Sequence, residues 1–529
     1  INPHHMLEIT DCAREALLGM PIVGTGDLKV HRPTTSCLWT SPLALPESTS
    51  YQPSILNPYD NRNTSLQDPF YLSVAKWNNP QPSVNEALLD KCIEDIGYWY
   101  AMEIHSRKVQ TKVLTKTEAI NSGKNYNVMP INRKSAAGYP FSRYGNKSAF
   151  LTNKGNAQEA YYGIDLNKRS GKDLNESIDF IINSCRNPEV YVPVPFSGWL
   201  KDEPLKMKKI YSANTRSFAG APFDYTIAYR MYFATIYGAI HEVRDKMPIQ
   251  VGITPTSLEW DFMVRRLLQC SPTGFDLDFQ GFDSTVPAII QQKLVGIHNK
   301  IAKMNDPNWT EEHDIIRRGL HQSLVKPLLV FPTVEETYIL QAPGGQPSGH
   351  PGTADDNSLI HLVYLYYSYL TIMIARGQHQ LATLMHFKEK IQAIIYGDDG
   401  VYMVDPEIQQ YFNFTAVSKV LQGLGIKCTP AAKGDVIQDI IPLTECEFLK
   451  RDFVKIGKYW FGALKKMSFE KMLGFCLGPQ HHWYKNPNRV FAGRPNDLIA
   501  TADACLSEAI IHGKPFFDEM QMHLIKSLQ

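Results

Sequence analysis

Charge of one sign is what this 529-residue chain most lacks: 54 basic residues stand against 53 acidic ones, a formal net charge of +1. No global pull toward a polyanion follows, so any nucleic-acid site has to come from local segregation of charge. Cysteine is sparse as well. Nine are scattered along the chain with no C-x-x-C pair, which argues against a disulfide framework or a zinc ribbon and fits a reducing cytosol. Long apolar runs are also missing. The longest, Leu362 to Ala375, spans 14 residues and includes four tyrosines, short of the roughly 20 that a membrane span requires; it reads as a buried helix, and no transmembrane segment is expected. There is no internal repeat and no low-complexity tract. The start, Ile1-Asn2-Pro3-His4-His5, has neither a charged n-region nor an apolar h-region, so no secretory signal is expected. The missing initiator Met is what a chain cut from a longer precursor, or trimmed, would show.

What is present belongs to a globular chain of several subdomains, with 43% hydrophobic and 20% charged residues. Residues 41 to 85 are rich in Pro, Asn and Ser but carry aromatics, which favours an ordered segment laid over something else. Apolar spacing is helical from Val84 to about Ala119, over 174 to 184 and over 224 to 245. A Gly, Ser and Asn-rich stretch fills 121 to 146. A strand and turn are expected at 273 to 283, a long helix at 352 to 375, a hairpin at 393 to 404, and a helix at 409 to 424 ended by Gly425. Phe469, Met472, Leu473 and Cys476 share a helical face, so the last 60 or so residues read as mainly helical. Strands and helices without regular alternation define an α+β chain.

Tyr396-Gly397-Asp398-Asp399, set between Ala393-Ile394-Ile395 and Val401-Tyr402-Met403-Val404, reads as a hairpin with two adjacent carboxylates at its tip, Gly397 and Gly400 supplying a permissive backbone. Such a tip is either a solvated turn or half of a metal site. Phe275, Leu277 and Phe279 alternate with Asp276, Asp278 and Gln280, so a strand there buries the aromatic face and turns both aspartates to the other. Asp278 could then meet the hairpin acids. Hard cations used in phosphoryl transfer take oxygen ligands of this kind.

Three further segments carry chemistry. Gly344 to Gly349 is a glycine-rich loop running into the 352 to 375 helix, on which Thr353 and Asn357 share a face. That face could hold a sugar; ordinary helix capping by Ser348 and Thr353 is the equal alternative. Upstream, Lys201, Lys206, Lys208, Lys209 and Arg216 put five basic residues within 16 positions, interleaved with Pro204, Tyr211, Asn214 and Phe218. This is either a solvated face or a segment reaching over a triphosphate.

Taken in order, Ser135-Ala-Ala-Gly138-Tyr139-Pro140, Lys201-Asp-Glu203, Asp278-Phe-Gln-Gly-Phe-Asp283, Ser348-Gly349-x3-Thr353-x3-Asn357, Tyr396-Gly-Asp-Asp399, Thr429-Pro-Ala-Ala-Lys433 and Phe448-Leu449-Lys450-Arg451 resemble the motif series of the RNA-dependent RNA polymerases of picornaviruses and picorna-like viruses. The series spans residues 135 to 451. The resemblance implies a closed right hand with a palm on an antiparallel sheet: 1–223 fingers with the index segment, 224–283 and 344–460 palm, 284–343 a fingers insertion, 461–529 thumb. It implies that Asp278 and Asp398, supported by Asp399, bind two Mg2+ ions, with Mn2+ able to substitute in vitro. Asp283 and Asn357, with Ser348, Gly349 and Thr353 nearby, would recognise the ribose. Lys201, Lys209 and Arg216 would hold the triphosphate, and Lys433 would protonate departing pyrophosphate. Ser135, Gly138, Tyr139 and Pro140 would lie by the template, and Leu449, Lys450 and Arg451 by the primer.

The activity so implied is RNA-templated RNA synthesis from ribonucleoside triphosphates, replicating a positive-strand viral genome. Implied partners are template and primer RNA, a genome-linked protein primer and other viral replication proteins, at membrane-associated complexes in the host cytoplasm. The chain's length and altered pentapeptide suggest an insect virus. A reverse transcriptase and a non-catalytic RNA-binding scaffold are the rivals. Asp283 stands against the first, where an aromatic steric gate is typical, and the joint presence of Asp278, Asp398, Lys433, Lys209 and Arg216 against the second. There are departures. The pentapeptide Lys-Asp-Glu-Leu-Arg of picornaviral enzymes is Lys201-Asp-Glu-Pro-Leu205 here, lacking its final basic residue unless Lys206 replaces it; His350 and Pro351 follow Ser348-Gly349; and Asp276 is an extra acid, read as packing or support rather than a ligand.

Overall fold

A computed structural model of the chain describes residues 20–26, 35–121, 126–156, 160–332, 337–431, 437–478 and 495–528. At its centre lies an antiparallel sheet. The strand Thr273–Phe279 pairs on one edge with Asp399–Val404, which forms a hairpin with Ile391–Tyr396, and on the other edge with Cys428–Thr429 and Ile441–Pro442. Alternating Phe275, Leu277 and Phe279 make this strand, and their rings and side chains are buried. Asp276 is buried with them and Asp278 is half-buried, so the expected two-faced strand is enclosed on both sides.

Behind the sheet runs Thr353–Ala375, packed on the hairpin's first strand and on the helices Glu86–Ser106, Ala288–Asn305 and Phe414–Gly423. By length and composition this helix could cross a membrane, yet 83% of its most apolar window is buried inside the fold. The expected buried helix is therefore longer than its apolar run. Burial on all sides explains why its sequence is apolar almost all round, tyrosines included.

A second sheet has the order Ile22–Gly26, Thr337–Gln341, Leu328–Pro332, Pro195–Leu200, Ser217–Gly220, with one parallel pairing at Leu328–Val330 against Pro195–Ser197. It reaches the glycine-rich loop through a bridge between Gly220 and Gly349. The C-terminal unit starts with the small sheet Glu447–Phe448, Arg451–Ile456 and Tyr459–Leu464 and continues into helices Lys466–Gly474, Pro495–Ala509 and Lys514–Leu528 around Phe469, Leu473, Cys505 and Leu524.

The proline-rich segment is ordered, as expected, and lies across this unit. Leu38–Thr40 adds a strand to Phe475–Leu477, Ser48 Oγ donates to Glu470 O at 2.8 Å, and Leu43 sits in the unit's core. Residues 38–50 thus close the N-terminal part onto the C-terminal one. The eight described cysteines are free.

Several boundaries differ from the sequence reading. The helical stretch from Val84 breaks into Glu86–Ser106 and Lys116–Ile120, because Lys108 takes a positive φ of 57° and Thr115 caps a new helix with Glu118 in a capping box. Pro69–Ala75 is a helix capped by Asp68 inside the expected loop. The 409 to 424 helix starts only at Phe414, where Asn413 caps it. Cys476 leaves the helical face for the strand Phe475–Leu477.

Candidate active site

The hairpin turn is two residues, Gly397 and Asp398, with Tyr396 paired to Asp399. Gly397 has φ 62°, the conformation a two-residue turn needs at its first position and one that only glycine adopts freely. Gly400 is not a turn residue. It lies in the strand opposite Ile395 and Leu277, where a Cβ would meet His361 Cε1 at 2.5 Å. One step further along that register, Asp278 comes opposite Asp399.

The turn rests on the long helix. Ser358 Oγ accepts from Gly397 N at 2.8 Å, and His361 Nδ1 lies 3.0 Å from Gly397 O. A carbonyl only accepts, so Nδ1 carries the proton and Nε2 accepts from the Tyr402 hydroxyl, also in contact with it. Burial holds His361 down at about 4, neutral wherever the protein works near pH 7. Sequence reasoning missed Ser358, His361 and Tyr402. The signal was there: two further four-residue steps from Thr353 through Asn357 reach His361.

Asp278, Asp398 and Asp399 converge. Burial, and then the charge of Asp278, raise Asp398; burial and the charge of Asp398 push Asp399 up to about 6, against the pull of Lys450. Like charges held together in this way are relieved by a bound cation. Among the described residues no three acidic, His or Cys side chains form a ready-made cage. The donor set is nonetheless of the right chemistry for Mg2+, which binds through one or two carboxylates and completes its shell with water and substrate phosphates.

Asp276 stays out of this cluster. Its Oδ1 accepts from Ala431 N at 2.9 Å and its Oδ2 from Glu447 N at 3.0 Å. It pins two neighbouring segments to the central strand. Thr429 pairs with Asp278, but Lys433 lies outside the described residues.

Beside the acids, Asn357 Nδ2 donates to Asp283 Oδ1 at 2.9 Å. Asn357 Oδ1 is buried and has no hydrogen-bond partner among the described residues. Burial pushes Asp283 up to about 6, with the Asn357 hydrogen bond acting against it and the Asp398 charge with it. The glycine-rich loop approaches the second sheet closely: Gly349 N donates to Ala219 O at 2.9 Å, Ala219 N to Ser348 Oγ at 3.3 Å, and a Cβ on Gly349 would meet Ala219 O at 2.6 Å. Thr353 Oγ1 lies within 2.8 Å of His350 O and 3.1 Å of Pro347 O, so its hydroxyl closes the loop itself.

Of the basic residues, Arg216 makes a two-pronged pair with Glu203 at 2.7 and 2.6 Å, and its charge is felt by both Asp283 and Asp398. Lys201 holds Arg216 O through its backbone N at 2.8 Å, with Nζ 3.8 Å from Glu203. Lys209 is joined by two lysines the sequence reading passed over. Burial and Lys209 lower Lys76; burial, with Arg216, Lys209 and Lys206 opposing Glu203, lowers Lys471. Cations crowded enough to depress one another suit a polyanion. Leu205 is buried against Ile55, Ile210 and Ala213, which explains the departure in the pentapeptide: a basic side chain there would enter an apolar cluster.

The remaining residues frame two sides. Leu449 and Lys450, at φ 55° and 59°, form the turn between paired Phe448 and Arg451, a left-handed conformation that costs energy for such side chains. The Lys450 charge reaches Asp399 and Asp278. Arg451 turns the other way, into a two-pronged pair with Glu508 at 2.6 Å on each arm, and is not available to RNA in this arrangement. Ser135 accepts from Lys147 Nζ at 2.8 Å, Tyr139 N donates to Ser197 Oγ at 3.0 Å, and Pro140 follows through a cis peptide. Gly138, with φ 72°, leaves no room for a Cβ against Ala221 O at 2.8 Å. With Lys147, Trp199, Phe218 and Arg230, Ser135 and Gly138 line a cavity of about 320 Å³. Burial, and then Arg230, lower Lys147 to about 8.

An acid-tipped hairpin on an antiparallel sheet, backed by helices and closed by the N-terminal segment, is the architecture of a right-hand polymerase. A solved polymerase, the Sicinivirus 3Dpol RNA dependent RNA polymerase, shares it with a TM-score of 0.74 over 96% of this chain and 95% of that one, at 20% identity. Residues 43–529 match the family model described as viral RNA-dependent RNA polymerase, and the chain belongs to that family. It is 29% identical over 359 residues to the RNA1 polyprotein of Satsuma dwarf virus, covering 67% of this chain and 16% of that protein. It is 26% identical over 381 residues to the replicase polyprotein of Acute bee paralysis virus, covering 69% and 19%. The chain thus spans less than a fifth of these polyproteins.

Proposed function

We propose that the chain synthesises RNA on an RNA template, replicating the genome of a positive-strand picorna-like virus. The observation that carries this reading is Asn357 Oδ1, buried beside Asp283 at the edge of the carboxylate cluster with no hydrogen-bond partner among the described residues. A 2′-hydroxyl can donate to that oxygen and accept nothing from an ionised Asp283, so the pair is built to be completed by a ribose donor. A reverse transcriptase would leave the same oxygen unpaired, at a cost.

In the reaction the primer 3′-oxygen attacks the α-phosphorus, the bond to the β-phosphate oxygen breaks, and pyrophosphate leaves. When bound, divalent ions held by Asp278 and Asp398 supply positive charge at the attacking and leaving oxygens. Asp399 stands beside them. Arg216, with Lys209 and Lys201, binds the triphosphate; Lys433 is the proton donor to pyrophosphate. Ser358 and His361 hold the turn so that Asp398 presents to the strand acid. Lys450 and Leu449 sit where primer would pass, and the cavity at Ser135 and Gly138 lies where template would. We place fingers, palm and thumb at the boundaries given above, and the working enzyme with other viral replication proteins in host cytoplasm, at membranes reached through those partners.

Primer extension on an RNA template, with ribo- or deoxynucleotides and a divalent metal, tests the proposal. Ribonucleotide products from the native chain and none from Asp398→Ala are expected. Absence of metal-dependent product from the native chain, or preference for deoxynucleotides, would refute it.

A further inference from the structure

Immediately before Asn357 sits Asp356, fully buried and unused by the chemistry above. Its two oxygens are crowded with donors. Tyr237 Oη lies 2.8 Å and His298 Nε2 3.0 Å from Oδ1; His350 Nε2 lies 2.8 Å and Tyr229 Oη 3.2 Å from Oδ2, Tyr229 also standing 3.4 Å from His321 Nδ1. Burial alone would neutralise this acid, but hydrogen bonds and charge from His298 and His350 hold it well below the usual carboxylate range. It therefore only accepts, and both histidines present Nε2–H to it.

The donors come from three parts of the fold. Tyr229 and Tyr237 belong to the helix Phe223–Glu242, His298 to the helix Ala288–Asn305, and His350 to the glycine-rich loop. The second ring nitrogen of His298 and of His350 is buried without a partner among the described residues, so each ring is held in hydrogen bonding by Asp356 alone. His350 also stands edge-on to Tyr229, with ring centres 4.5 Å apart. Its backbone carbonyl receives Thr353 Oγ1 at 2.8 Å and Thr353 N at 3.2 Å, and Ser348 and Gly349 precede it. On the next residue, Asp355 bonds His241 Nε2 at 2.5 Å, tying the same helical turn once more to the helix Phe223–Glu242.

We infer that Asp356 is a positioning residue for sugar selection: by gathering His350, His298 and the two tyrosines it sets the rotation of the first turn of Thr353–Ala375, aims Asn357 at Asp283, and pins the Ser348 loop against that turn. The inference rests on the ribose reading of Asn357 and Asp283 proposed above. A buried carboxylate with its acceptor capacity filled tolerates few orientations, because every rotation strands a buried donor. Asn357, one residue on, inherits that constraint. A cluster that served stability alone would have no reason to act on the difference between ribose and deoxyribose.

The test compares kcat/KM for a ribonucleotide and for its 2′-deoxy analogue in the full chain carrying His350→Phe, His350→Gln or Tyr237→Phe, with thermal unfolding and primer-template affinity measured alongside. His350→Phe should reduce the ratio by about fivefold or more, the size of effect one misplaced hydrogen bond produces. His350→Gln, which keeps an N–H donor, should recover much of it, and primer-template affinity should not change. Tyr237→Phe removes one donor with almost no change of volume and decides the matter if His350→Phe does not fold. A folded Tyr237→Phe or His350→Phe with the native ratio overturns the anchor. Failure of the ribose reading looks different: the ratio would then be unmoved by Asn357→Ala as well.

Discussion

Asn357→Ala should abolish most of the preference for ribonucleotides while leaving deoxynucleotide use almost untouched. In the native chain Asn357 offers a buried acceptor with no partner among the described residues and a donor to Asp283 at 2.9 Å. A ribose 2′-hydroxyl fills that acceptor, a gain of about 1–3 kcal/mol over a deoxyribose, which leaves it as it stands in the free chain. At about 1.4 kcal/mol per decade this is about 5- to 150-fold in kcat/KM. Alanine removes the acceptor together with that gain, so the native ratio should collapse by a factor in that range, chiefly through a fall in the ribonucleotide value. The loss has a second part. The Asn357 hydrogen bond helps hold down Asp283, already pushed by burial to about 6, so the variant's Asp283 moves further up and is protonated at higher pH. Single-nucleotide extension with ATP and dATP from pH 6 to 8, under single-turnover conditions, measures both. A ratio unchanged within twofold, with the protein folded, refutes the assignment of the sugar site to this pair.

Other consequences can be checked independently. His361 is held neutral, its pKa lowered from 6.5 to about 4 by burial, so the unfolded chain binds the extra proton and stability contributed through this group is present above 6.5 and is lost as pH falls toward 4, by at most about 3 kcal/mol. The stability gap between the native chain and His361→Gln, read from denaturant melts, should therefore narrow from pH 7 to pH 4.5; a widening gap sinks the tautomer argument. Asp276→Ala strips the backbone N–H groups of Ala431 and Glu447 of their acceptors, and at about 1–3 kcal/mol for each unsatisfied group it should lower stability and shorten the lifetime of the primer-bound complex more than it raises the nucleotide KM. Equal effects on both quantities would contradict a role at the primer side. Adding Mg2+ should raise the thermal midpoint, and more so above pH 6, because Asp399 at about 6 must lose its proton for the cluster to draw a cation; no such rise in the native chain, or the same rise in Asp398→Ala, excludes these acids as the binding site.

The recurring residues at the centre were legible before any geometry. Alternation placed Asp278 on a strand, glycine and β-branched flanks placed Asp398 on a hairpin, and a four-residue step put Asn357 beside Thr353, because these patterns depend on local periods of two and 3.6 residues. Boundaries were less legible. Lys108 in a left-handed conformation interrupts a stretch whose apolar spacing runs on, and Cys476 keeps a helical spacing but is drawn into a strand by the edge of Leu38–Thr40. Pairing partners that lie more than 400 residues away leave no local trace.

By itself, the sequence offered the candidates for the chemistry, namely the strand and hairpin carboxylates, a basic run and the shared face of Thr353 and Asn357, written in residue type and spacing, and left the pairing of Asp283 with Asn357 to the family resemblance. Only the tertiary structure decided which of those side chains remain free to act. It turned Arg451 into Glu508 and Leu205 into an apolar cluster, brought Lys471 from the C-terminal unit to the cations around Arg216, and set His361 and Asp356 as buried neighbours of the acid-tipped turn and of Asn357. The physical reason is that charge, hydrogen bonding and burial are set by neighbours in space, and a one-dimensional pattern carries only the neighbours along the chain.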